Sequence, residues 1–113
     1  MTSRAKLERS IEQASVELAF KRGFISIKLD KAMRSWPDRM FLGPSSQSFL
    51  VEFKRPGCAP RKQQEIRHKQ LTALGHPVSV ITSLSDFASL LDVFCSLADP
   101  SVSASDQETS ARL

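Results

Sequence analysis

The sequence predicts one α/β domain: a central mixed β-sheet flanked by helices, in the order α-β-β-β-α-β-α. Three observations carry this expectation. Apolar residues recur at spacings of three and four in segments near both ends of residues 4–97 and in one segment after residue 60. Short runs between these segments alternate with period two, as half-buried strands do. Glycine and proline stand at the boundaries. A chain of 113 residues is long enough for one modest core. The domain is expected over residues 1–97, with a disordered tail over 98–113.

The first helix is predicted over residues 4–21. Leu7, Ile11, Ala14 and Leu18 form its stripe, Thr2 or Ser3 caps its start and Gly23 ends it. Phe24 to Leu29 reads as a strand with Ile25, Ile27 and Leu29 on one side and Lys28 on the other. Residues 39–42 and 48–53 form the arms of a hairpin around the turn signal Gly43-Pro-Ser-Ser46. In the second arm Leu50, Glu52 and Lys54 share one side, and Phe49, Val51 and Phe53 share the other. Pro60 is placed to start a second helix, which runs to about Leu74. Ile66, Ala73 and Leu74 are its expected buried side, with Leu71 nearby. Gly75 caps it and Pro77 prevents its continuation. Val78–Ile81 is the fourth strand. Ser83 or Ser85 then caps a last helix to about Leu97, with Phe87, Leu90, Leu91 and Phe94 inward. A parallel crossover from the third strand to the fourth would be right-handed.

Charge is distributed unevenly. The whole chain carries +4, residues 1–95 carry +6 and residues 96–113 carry −2. Between Lys54 and Lys69 six basic residues stand against one acid, Glu65. Such a stretch suits an anionic polymer, or else a solvated surface. Cys58 and Cys95 have no metal-ligand spacing and are too few for a disulfide framework, so two free thiols are expected. No apolar run approaches the about 18 residues of a membrane span. The N-terminal residues lack the apolar region of a signal peptide. A cytoplasmic or otherwise intracellular location follows as an expectation, with no membrane partner.

The chemistry is concentrated in Pro37-Asp38 and Glu52-Phe53-Lys54. The hairpin brings Asp38 and Glu52 toward the same open end. Two carboxylates held that close repel each other unless a cation lies between them. Mg²⁺ prefers oxygen ligands, often one or two carboxylates completed by water and substrate phosphate. Lys54 beside them could orient a water or neutralise developing charge. The plainer reading makes Asp38 a turn cap and leaves Glu52 and Lys54 facing solvent.

Together these residues resemble the active-site motif of the PD-(D/E)xK nuclease superfamily, and the chain is similar to a VRR-NUC domain of the stand-alone viral or bacterial type. The resemblance covers roughly residues 8–92. It rests on Glu12 in the first helix, Gly23 before Lys28, and Pro37-Asp38-Arg39. It continues with Phe49-Leu-Val-Glu-Phe-Lys-Arg-Pro-Gly57, Gln64 ten residues after Lys54, Gly75, and the strand Val78–Ile81. It implies a restriction-endonuclease-like core. By the same resemblance Asp38 and Glu52 are metal ligands, the Phe53 carbonyl is a further one, and Lys54 is the catalytic lysine. Gln64 supports the site or contacts phosphate, and Glu12 faces the metal directly or through water, with Glu8 as the competing choice. The catalytic set implied is thus Asp38, Glu52, Lys54, Gln64 and Glu12. Lys28, Arg39, Arg55, Arg61, Lys62, Arg67 and Lys69 are candidate DNA contacts that set position and salt dependence. Ser35 stands where the family has glycine. Trp36 after it is expected to pack on the first helix, with DNA contact as the other reading. His68 is expected at the surface and His76 in a turn, neither as a metal ligand.

The implied activity is a Mg²⁺-dependent deoxyribonuclease, with Mn²⁺ as a substitute. The preferred specific reading is a homodimeric endonuclease selective for branched DNA, like a Holliday-junction resolvase, with the last helix partly a dimer surface. The alternatives are a nicking or restriction-like nuclease of a phage or mobile element, and a non-catalytic DNA-binding protein on the same fold.

Overall fold

The computed structural model describes residues 4–30 and 32–97. The expected tail, and the expected cap at Thr2 or Ser3, lie outside the described residues. The element order is α1 (Arg4–Lys21), β1 (Ile25–Lys28), β2 (Arg39–Leu42), β3 (Ser48–Phe53), α2 (Lys62–Ala73), β4 (Val78–Ile81) and α3 (Leu84–Leu97). The four strands form one sheet in the order β1-β2-β3-β4. β1, β2 and β3 pair antiparallel, and β3 pairs parallel with β4. The predicted α-β-β-β-α-β-α architecture is therefore the observed one.

β3 is the strand on which everything else is built, since it is buried on both sides. Phe49, Val51 and Phe53 point to the side covered by α1 and α3. There Phe41 and Phe49 stack with ring centroids 5.1 Å apart, and Phe94 lies 4.5 Å beyond Phe49. Phe87 of α3 completes the cluster 5.1 Å from Phe41. Gly43 makes room for it: a Cβ there would meet the Phe24 ring at 2.1 Å. The predicted inward residues of α3 hold, with Phe87 and Leu91 buried and Leu90 and Phe94 partly buried. Ser83 is the cap, its hydroxyl accepting the Asp86 N–H at 3.0 Å.

Two helices differ from expectation. α1 buries Ile11, Glu12, Ser15 and Ala19 and leaves Leu7 and Phe20 exposed, so its inward face is rotated from the predicted stripe and carries two polar groups. α2 begins at Lys62, two residues after Pro60. Its buried residues are Gln64 and Leu71, while Ile66 and Leu74 face solvent. Glu12 and Gln64 are the inward positions that meet the end of the sheet where the carboxylates sit. β1 is an edge strand, and its apolar side, Ile25 and Ile27, is exposed.

Candidate active site

The register of β2 and β3, Arg39 opposite Val51 and Met40 opposite Leu50, places Asp38 beside Glu52 at the strand ends. The Asp38 backbone is fixed from both sides, its N–H donating to Val51 O at 3.0 Å and its carbonyl accepting from Leu29 N–H at 2.9 Å. Its Oδ2 accepts the Phe53 N–H at 2.7 Å. Lys54 continues β3, donating its N–H to Ile81 O at 2.9 Å. By the period of two its side chain shares a face with Glu52, and Nζ lies 3.4 Å from Glu52 Oε2.

Gln64 links the start of α2 to this pair. Its Oε1 accepts the Arg61 N–H at 2.9 Å, the glutamine half of a capping box. Its Nε2 donates to Glu52 Oε2 at 3.0 Å. One turn along, His68 brings Nε2 to 3.9 Å from Glu52 Oε1, and both of these buried atoms lack a hydrogen-bond partner. Sequence reasoning placed His68 at the surface. Its spacing of four from Gln64 was the signal that could have found it.

Glu12 reaches the same cleft from α1. Its Oε2 accepts from Arg39 Nε at 2.5 Å and from Lys28 Nζ at 3.0 Å. Arg39 also donates to Ser26 Oγ at 3.0 Å. A cavity of about 380 Å³ joins these residues, with Glu8, Glu12, Asp38, Glu52, Lys54 and Gln64 on its walls. Arg9 and Arg34 line it too, and sequence reasoning had not singled them out.

Burial and charge act together on the carboxylates. Burial and the neighbouring Asp38 push the Glu52 carboxyl up to about 7, against the pull of Lys54 and Gln64. Burial also raises Asp38, opposed by the Phe53 N–H and reinforced by Glu12. The His68 imidazole is lowered, first by burial and then by Lys54. Two mutually repelling carboxylates, one with a buried oxygen lacking a partner, fit a hard divalent cation in their donor chemistry. Among the described residues no group of three or more His, Cys, Asp or Glu is arranged to hold a metal.

The predicted DNA contacts differ in exposure and in the partners they already hold. Arg61, Lys62 and Lys69 are exposed on α2 and its lead-in. Lys28 and Arg39 are engaged with Glu12. Arg55 donates to Cys58 Sγ at 3.0 Å, and both cysteines are free. Arg67 lies over the Trp36 ring, 4.9 Å from its centroid. Trp36 thus packs against α2 through Arg67, where packing on the first helix was expected. The Trp36 N–H closes a turn onto Met33 O at 3.0 Å. Among the described residues no helix is long and apolar enough to cross a membrane.

No protein-family model matches the chain. It is 39% identical over 85 residues to a protein named "Putative nuclease p44" of Acyrthosiphon pisum secondary endosymbiont phage 1, spanning 74% of this chain and 90% of that protein. A solved structure described as a VRR_NUC domain superposes with a TM-score of 0.70 at 23% identity, over 76% of this chain and 95% of the other. The chain therefore belongs to the family of that phage nuclease, and the sheet that sets Asp38 beside Glu52 and Lys54 has the VRR-NUC fold.

Proposed function

We propose that this nuclease is a metal-dependent endodeoxyribonuclease acting as a homodimer on branched DNA. The observation that carries the reading is Glu52: a buried carboxylate held at a pKa of about 7 beside Asp38 and Lys54, with one oxygen lacking a partner. Asp38, Glu52 and the Phe53 carbonyl would hold Mg²⁺, or Mn²⁺ in its place, with Glu12 joining directly or through water. The bound ion would supply a water of lowered pKa and neutralise charge on the phosphate. Lys54, with Nζ 3.4 Å from Glu52 Oε2, would orient the attacking water or stabilise charge that develops on the phosphate oxygens. Gln64 holds Glu52 in place from the helix start. Arg61 lines the cleft, and the exposed Lys62 and Lys69, with Arg55 and Arg67, would add positive charge for the phosphate backbone.

A two-fold dimer would present two clefts to two strands, as a junction requires. The described surface that supports a self-contact is the exposed pair Ile25 and Ile27 on edge strand β1. On α3 Phe87 and Leu91 face the core, while Leu84 and Val93 are exposed and offer a second apolar patch for a self-contact. The test is a Mg²⁺-dependent cleavage panel of four-way junction, flap and linear duplex DNA beside the Glu52→Ala protein, with the molar mass measured in solution. Junction cleavage lost in Glu52→Ala is the expected result. Full cleavage by Glu52→Ala would sink the assignment, and equal cutting of linear duplex would remove the junction preference.

A further inference from the structure

Trp36 stands directly before the Pro37-Asp38 pair, and its backbone is pinned by the turn onto Met33. Pro37 is fully buried, so the position of the indole is tied to that of Asp38. Across from it, Arg67 is held in three ways. Its Nε donates to Ser35 Oγ at 3.2 Å, its Nη1 donates to Gln70 Oε1 at 2.9 Å, and its guanidinium lies over the indole. An arginine that only meets phosphate keeps a mobile side chain on the surface. This one has its guanidinium carbon over an aromatic ring and two side-chain acceptors holding it there.

The pair walls a shallow groove of about 470 Å³ between residues 32–36 and α2. That volume is in the range of small-ligand sites. Gln63, Gln70 and Arg34 add amide and guanidinium groups to its lining. The groove and the catalytic cleft share Met33, Arg34 and Trp36 as a common wall. Arg67 follows Gln64 by three residues, so the platform and the Glu52 clamp are about one helical turn apart on one face of α2.

A flat cationic plane backed by an aromatic ring, with amides at its rim, is the chemistry that takes a nucleobase by its face and edge. A base in a paired duplex hides its face within the stack. We infer that the Trp36–Arg67 pair forms a stacking subsite for one unpaired nucleobase beside the scissile phosphate. The subsite rests on the nuclease reading and names what that reading leaves open: the strand that enters the cleft carries an unstacked nucleotide next to the cut. It also gives Ser35 a use, since a glycine there would leave Arg67 without its hydroxyl acceptor.

The test uses the full chain and two DNAs, a fully paired duplex and the same duplex with one unpaired 2-aminopurine at the cut position. Trp36→Ala is expected to lower kcat/KM on the unpaired substrate about tenfold more than on the paired one. Arg67→Lys keeps the charge and removes the plane, and is expected to reproduce that difference. Arg67→Lys also serves if Trp36→Ala fails to fold. Equal losses on the two DNAs, or an Arg67→Lys protein that matches the unmodified chain on both, would overturn the subsite. In EDTA, binding to the unmodified chain is expected to quench the 2-aminopurine, and binding to the variants is not. If the unmodified chain cuts neither these DNAs nor a four-way junction, the nuclease reading fails, and the fluorescence alone decides the subsite.

Discussion

Helix α3 buries Phe87 and Leu91 against the phenylalanines of β2 and β3, whereas α2 buries Gln64 and Leu71 and turns Ile66 and Leu74 to solvent. Both helices serve the same strand. β3 sends Phe49, Val51 and Phe53 toward α3, and Leu50 and Glu52 toward α2. The α3 side removes apolar area from water and carries the stability. On the α2 side a carboxylate is buried at a cost, offset in part by Gln64 and Lys54. The difference teaches that an inward helix face need not be apolar. Where it meets the end of a sheet that holds charge, hydrogen-bonding side chains replace the core.

Exchanging the two sides' roles would break this comparison. Glu52→Ala is expected to lower Mg²⁺-dependent cleavage on the order of 10³-fold or more while leaving the thermal midpoint at or above that of the parent. Phe87→Ala is expected to act in the opposite way, with about 3–5 kcal/mol of stability lost in urea melts. Activity in Phe87→Ala would fall only as the folded fraction falls. A Glu52→Ala protein that melts far below the parent would place Glu52 in the structural side.

The same contrast explains what was legible in the sequence. α3 could be read because Phe87, Leu90, Leu91 and Phe94 repeat at helical spacing and do face the core. The strands could be read because β3 alternates by two, which also put Glu52 and Lys54 on one face. Asp38, Glu52 and Lys54 came together as the hairpin implied, and Gln64 joins them as the family resemblance implied. The inward face of α2 could not be read by hydrophobicity, since Gln64 and His68 carry none, and Ile66 and Leu74, expected inward, face solvent. Glu12 was singled out, but not its capture by Arg39 and Lys28, because that contact joins α1, β1 and β2 across long stretches of chain. Trp36 was assigned to the wrong helix for a related reason. Its place is set by a turn at Met33 and a partner 31 residues away on α2.

The buried carboxylate gives the comparison a pH signature. In the folded chain Glu52 keeps its proton up to about pH 7, while an unfolded glutamate releases it near 4.5. Between those values the folded state holds the extra proton, so Glu52's contribution to stability falls as pH rises through that window. The loss amounts to about 3 kcal/mol. Asp38, also raised, adds in the same direction. Urea melts in EDTA at pH 5 and pH 8 are expected to show this loss, and Glu52→Gln to be flatter. On the proposed metal reading Mg²⁺ at pH 8 is expected to restore stability, because it would bind the ionised pair and only in the folded chain. A metal-free parent whose pH dependence matches that of Glu52→Gln would remove the carboxylate as its source.

His68 provides the smallest and sharpest break. Burial and Lys54 lower its pKa, so it is neutral at pH 7 and can donate from one ring nitrogen. Its Nε2 lies 3.9 Å from Glu52 Oε1, outside hydrogen-bond range, and neither atom has another partner. A small approach would let it hold the carboxylate oxygen that Gln64 leaves free. His68→Ala is then expected to lower kcat about tenfold and raise the Mg²⁺ concentration needed for half-maximal rate, with little change in KM for DNA. His68→Gln, which keeps a donor, is expected to recover most of the rate. A purely packing role for His68 would instead lower stability in both variants and leave the Mg²⁺ requirement where it was. Steady-state rates titrated with Mg²⁺, beside melts of the same proteins, separate the two. The α2 face either tunes the carboxylate through His68 as well as Gln64, or through Gln64 alone.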